Sequence, residues 1–250
     1  MSDFNRGYAR TVQADRADMS VDAGLRSFML GVYNKVALGL LVSAAMAFVT
    51  SSVGPVRDLM FRVTAEGRYA GLTGVGMLVA FAPLVIILFS GFAIRNQTPR
   101  TAGLTYWSIV TLIGASMGVL VLAYTGASIA TTFLITASSF GALSLVGYTT
   151  KRDLTGMGSF LIMGVWGLII ASVVNMFLHS PGIYLIVNLL GVAIFAGLTA
   201  YDTQRLKMTY YQLGGDQAAM GVATSYGALS LYLDFINLFQ FLLSLLGNRR

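Results

Sequence analysis

Two acidic side chains interrupt stretches that otherwise carry little but hydrocarbon. Asp202 lies in Thr199-Ala-Tyr-Asp-Thr-Gln-Arg205, at the end of one apolar run, and Asp234 lies in Leu229-Ser-Leu-Tyr-Leu-Asp-Phe-Ile-Asn-Leu-Phe239, in the middle of another. An ionisable group at membrane depth costs about 2.5–3.5 kcal/mol on insertion scales, so an Asp234 without a partner or a role would be an expensive accident. Asp202 has a plainer reading, as a helix-end acid paired with Arg205 or Lys207. The sequence midpoint of the two acids falls in the turn-like segment Gly214-Gly-Asp-Gln-Ala-Ala-Met-Gly221. A sixth helix continuing through Tyr210 and a last helix starting near Val222 would therefore form a hairpin with both acids at similar depth. Neighbouring carboxylates in a low dielectric tend to share one proton and to titrate as a unit, which is the chemistry of a pH sensor. Deprotonated, the pair offers oxygen to a hard cation. Calcium takes about 6–8 oxygens, so carbonyls, water and Asn237 would have to complete the set. Weak, transient calcium binding is the expectation, with no tightly held cofactor.

The elements that must position these acids are membrane spans. The 250 residues are 56% hydrophobic and only 10% charged, against about 25% charged in a soluble domain, and the mean hydropathy is +0.74. Seven apolar runs are expected as helices: Val32–Val53, Gly71–Ile94 with Pro83 inside it, Ala102–Ala123, Ile129–Tyr148, Met157–Leu178, Ile183–Asp202 or slightly beyond, and Val222–Leu246. Each is near the length of about 20 residues that a bilayer requires. The fold class is thus an all-α integral membrane bundle of about seven helices, in contact with lipid. Residues 1–26 are polar and of mixed charge and read as a flexible cytoplasmic tail, leaving 27–250 as one transmembrane domain. With the N-terminus inside, the inner segments hold Arg6, Arg10, Arg16, Arg26, Arg95, Arg100, Lys151, Arg152, Arg205 and Lys207. The outer loops then hold only Arg57, Arg62 and Arg68, and this asymmetry favours a cytoplasmic N-terminus. Arg249 and Arg250 would lie outside after seven full spans, or inside if the last segment re-enters.

The net charge of +6 is explained by span ends and anionic headgroups, and no motif that reads nucleic acid is present. The absence of cysteine excludes thiol catalysis and disulfides. Gly114-Ala-Ser-Met-Gly118 and Ala137-Ser-Ser-Phe-Gly141 space small residues four apart, as close helix packing requires. The first also spells Gly-x-Ser-x-Gly, but a nucleophile elbow needs a strand–turn–helix, and Ser116 falls in a membrane helix. His179, the only histidine, reads as an interfacial residue at a span end. Tyr201-Asp202 matches the first motif of intramembrane aspartyl proteases, whose second acid follows Gly-x-Gly. Here Leu231-Tyr-Leu233 precedes Asp234, so the match fails and no enzyme is expected.

The segments Ala200-Tyr-Asp-Thr-Gln204 and Ser230-Leu-Tyr-Leu-Asp-Phe-Ile-Asn-Leu-Phe239 resemble the signature of the transmembrane Bax inhibitor motif family, the Bax inhibitor-1-like proteins, and the span spacing from Val32 onward is similar. The resemblance implies a seven-helix fold with the C-terminal helix enclosed by six others. It also implies a pH-sensitive calcium leak controlled by a pair of aspartates matching Asp202 and Asp234. An arginine at the end of the second helix would pair with the acids; Arg95 is the nearest match, with Gln97 and Arg100 close by. Bacterial members of the family are associated with modulating a membrane-bound protease, which makes an interaction protein the alternative function, with the polar tail as its contact. The expected location is a bacterial inner membrane.

Overall fold

A computed structural model describes residues 23–64, 69–92 and 97–249. Most of the expected tail lies outside them, but α1 (Ala23–Ser52) already begins before Arg26. That extension beyond the apolar run has a packing cause. Leu25, Phe28 and Met29 are buried, and the Phe28 ring lies 5.7 Å from Tyr210. The connection after α1, expected as a loop, holds a short helix, α2 (Gly54–Met60), and an antiparallel hairpin of β1 (Phe61–Val63) and β2 (Tyr69–Leu72). Gly71 and Leu72, expected to open the second span, belong to this hairpin, and α3 spans Gly74–Phe92 with Pro83 inside.

The span expected at Ala102–Ala123 is α4 (Pro99–Ser116) followed, after a break at Met117, by α5 (Gly118–Ala123). Thr98 opens α4 through a capping box with Thr101 and is followed by Pro at the first helical position, which satisfies amide groups the helix leaves free. Thr125 caps α6 (Gly126–Thr149), and α7 (Thr155–Leu178) ends on His179 in a left-handed conformation. His179 is exposed, with Nδ1 3.1 Å from the Phe177 carbonyl. Ser116 donates to the carbonyl of Leu112, so it is a helix residue and no elbow forms around it.

The last two helices are α8 (Pro181–Leu213) and α9 (Gln217–Leu246). Asp202 is therefore not at a helix end: α8 continues for three further turns because Leu206 packs with Leu25 and Phe28 in the core. The turn is also tighter than expected, closed by Gly214 and Gly215 with φ of 56° and 90°, a conformation that favours glycine. Asp216 then accepts hydrogen bonds from the amides of Ala218 and Ala219.

Among the described residues, six helices are long and apolar enough to cross a membrane (α1, α4 with α5, α6, α7, α8 and α9), and the apolar part of α3 is shorter. Their outward faces carry Leu78, Phe89, Phe160 and Phe177 well exposed, a surface suited to lipid and not to water. Helix α9 is the most buried of the six. It packs along its length on α1, α4, α6 and α8, while α3 lies chiefly behind α4. Helix α7 packs on α8 and reaches α9 where Leu161 and Leu168 cluster with Leu238. Among the described residues α9 thus packs chiefly on α1, α4, α6 and α8, with α7 touching it at Leu238 and α3 standing farther out. The helix runs unbroken and does not fold back on itself. At its end Thr125 donates to the Asn248 carbonyl, Asn248 donates to Ser128 Oγ, and the Arg249 guanidinium donates to the Tyr184 hydroxyl.

Candidate functional site

Helix α6 is admitted to the α8–α9 hairpin by one residue. A Cβ at Gly147 would stand 2.1 Å from the Ala200 carbonyl oxygen, so the two backbones touch two residues before Asp202. From the other side the Tyr201 ring lies against the α7 backbone at Gly158. Gln204 ties the connection between α6 and α7 to α8: its amide donates to the Arg152 carbonyl at 2.7 Å and its carbonyl accepts from the Leu154 amide at 2.8 Å. In the same connection the Thr155 hydroxyl and amide hydrogen-bond the Asp153 carboxylate and hold it below the usual carboxylate range.

On this frame Asp202 and Asp234 are both buried, at 7% and 5% exposure, and lie close enough to interact electrostatically with each other and with Arg205. Arg205 Nη2 sits 3.3 Å from Asp202 Oδ1, the spacing of residues three apart on a helix face. The same nitrogen donates to Ser230 Oγ across the hairpin at 3.1 Å, and the guanidinium lies 5.6 Å from the centre of the Tyr201 ring. Asp234 Oδ2 is buried without a hydrogen-bond partner. Among the described residues Arg205 thus stands beside two buried acids, and Asp234 Oδ2 is left unused. The site can hold a proton, or it can offer oxygen to a cation.

Arg95, the expected partner, lies outside the described residues; the cation the structure places beside the acids is Arg205. Gln97, its neighbour in the expected alignment, accepts a short hydrogen bond from Tyr226 of α9. Asn237 is not turned toward a shared ligand through its amide, which donates to the Leu233 carbonyl of its own helix at 2.8 Å. Among the described residues no group of three or more His, Cys, Asp or Glu comes together to hold a metal, so the pair supplies two carboxylates and no more. The roles of Gln204 and Ser230 escape a reading of residue types alone, although both sit inside the two motifs.

A second polar layer lies across α1, α4 and α9. Ser43 donates to the Val110 carbonyl at 3.1 Å, which leaves Tyr232 to donate to Ser43 Oγ at 2.6 Å. Tyr106 donates to the Lys35 carbonyl, and Lys35 Nζ donates to Ser225 Oγ, both at 2.6 Å. Lys35 thus sits twelve residues into α1 and is bonded to α9.

The arrangement defines an integral membrane protein: a helical bundle built around a C-terminal hairpin that buries a pair of acids. The chain belongs to the family described as inhibitor of apoptosis-promoting Bax1, whose model matches residues 25–250. It is 68% identical to an uncharacterized protein of Caulobacter vibrioides over the full length of both chains. It is 45% identical to an uncharacterized protein of Rickettsia prowazekii over 97% of this chain and 98% of that one. It is also 40% identical to the inner membrane protein YbhL of Escherichia coli, over 91% of this chain and 94% of the relative.

Proposed function

We propose that the protein is a pH-sensitive cation leak that passes calcium and is gated by protonation of the Asp202–Asp234 pair. The observation that carries this reading is the burial of two mutually interacting carboxylates inside membrane helices, with Asp234 Oδ2 unpartnered and half-exposed Arg205 beside them. Protonated, the pair is nearly neutral and α8 and α9 stay closed against each other. When both acids ionise, repulsion loosens their contact, and Arg205 or an entering cation compensates. A local charge change thereby biases a packed, two-state element. In this reading α3 is a short second crossing of seven, and the distribution of Arg and Lys favours a cytoplasmic N-terminus. The name of the Escherichia coli relative supports an inner-membrane location.

The test is calcium flux into proteoliposomes from pH 6 to pH 8, with the natural protein, Asp202→Asn, Asp234→Asn and the double variant. Flux rising with pH, and losing that dependence in the variants, is the expected result. Unchanged gating in both single variants refutes the paired-acid mechanism. If no variant passes calcium above empty liposomes, the leak itself is refuted and a partner-binding role becomes the reading to pursue.

A further inference from the structure

Two buried side-chain oxygens among the described residues lack a hydrogen-bond partner: Asp234 Oδ2 and Ser144 Oγ. Ser144 is 5% exposed and sits in the last third of α6. Several neighbouring hydroxyls are bonded where its own is not. In the same helix Thr136, Ser138 and Thr149 each donate to the carbonyl four residues back, the default acceptor for a hydroxyl in a membrane helix. Thr199 and Thr203 do so on α8. The register of the helices brings Ser144 toward the depth of the acids. Phe140, Ser144 and Gly147 are spaced four and three apart and form one face of α6. The Phe140 ring lies 5.4 Å from Phe235, the residue after Asp234, and Gly147 touches the Ala200 carbonyl, two residues before Asp202. Ser144 therefore lies at the seam of α6, α8 and α9, within about one turn, roughly 5.4 Å of rise, of the level of Asp234.

We infer that Ser144 is a third member of the ion site, its hydroxyl oxygen and Asp234 Oδ2 facing one bound hard cation of the calcium type. This rests on reading the acid pair as an ion site, and it deepens that reading. Two carboxylates fall short of the oxygens such a cation takes, and a hydroxyl that declines its helical acceptor keeps its lone pairs available. The alternative for Ser144 is a packing residue whose buried hydroxyl has no use, and the two readings differ in the response to calcium. Removing an unused buried hydroxyl leaves the protein as stable or more stable and changes no ion response.

The experiment is thermal unfolding of the purified full chain in detergent, titrated with calcium chloride, for the natural protein, Ser144→Ala, Ser144→Thr and Asp234→Asn, with calcium flux measured on the same preparations. Calcium should raise the midpoint of the natural protein and of Ser144→Thr. Ser144→Ala should need at least about five-fold more calcium for the same rise, the loss of one neutral ligand in a weak site, and Asp234→Asn should show none. Without calcium, Ser144→Ala should unfold no earlier than the natural protein. If Ser144→Ala responds to calcium as the natural protein does, or the natural protein does not respond at all, the inference is overturned, even where pH-dependent flux is intact. If the response depends on Ser144 while liposomes pass no calcium, the site stands and the leak reading falls.

Discussion

Gly147→Ala is the smallest change that tests whether the α6–α8 contact positions the site. The added methyl would meet the Ala200 carbonyl oxygen at 2.1 Å, its carbon at 2.8 Å and its Cα at 2.9 Å, against an ordinary contact that begins at 3.4 Å. All three are backbone atoms of a buried helix, so no side chain can swing aside and α6 must retreat from α8. Overpacking of this kind costs about 1–3 kcal/mol. At roughly 2–4 °C per kcal/mol for a chain of this size, the unfolding midpoint in detergent should fall by about 2–12 °C. Gly141→Ala is the control. It lies in the same helix but has nothing within 4 Å of its added methyl, and alanine gains about 0.5–1 kcal/mol over glycine in a helix, so its midpoint should hold or rise. Intrinsic fluorescence from Trp107 and Trp166 follows both transitions. Because the contact lies two residues from Asp202, Gly147→Ala should also alter the pH dependence of calcium flux, and Gly141→Ala should not. If the two variants unfold alike, close approach at Gly147 does not hold the hairpin against α6.

Gln204→Leu removes both hydrogen bonds that fasten the α6–α7 connection. The variant should lose about 1–2 kcal/mol, with faster amide exchange at Leu154, which now donates to Gln204. Tyr232→Phe deletes the hydroxyl that donates to Ser43 and should cost about 1 kcal/mol, within the range for hydrogen bonds between membrane helices; an unchanged midpoint would mean the Ser43–Val110 bond carries that layer alone. The depressed Asp153 carboxyl contributes stability that is fully present above the ordinary carboxylate value and is lost as pH falls through its lowered value. Thr155→Val should return the carboxyl titration of Asp153, read by carbon NMR, toward the ordinary range.

Hydropathy and charge in the sequence were enough to establish a helical membrane protein, the approximate positions of its helices, and the two acids that interrupt them. Those properties are local: a run of hydrocarbon of sufficient length selects the bilayer wherever it folds, and an acid inside such a run is visible at once. The inward faces were not legible in the same way. In lipid both sides of a helix are apolar, so no polar stripe marks the outside, and a small-residue pattern fits either side. Gly114 does pack closely, on the Ser43 backbone, but Gly141 faces open space, and the contact beside the acids is made by Gly147. Helix ends were displaced for a related reason, since α1 and α8 continue past their apolar runs through Phe28, Leu206 and Tyr210, whose packing on each other only the assembled bundle supplies. The same holds at the site. Which described cation stands beside Asp202, and that Asp234 Oδ2 and Ser144 Oγ are left without partners, follow from how α6, α8 and α9 meet, with Gly147 and Ala200, 53 positions apart in the chain, in backbone contact.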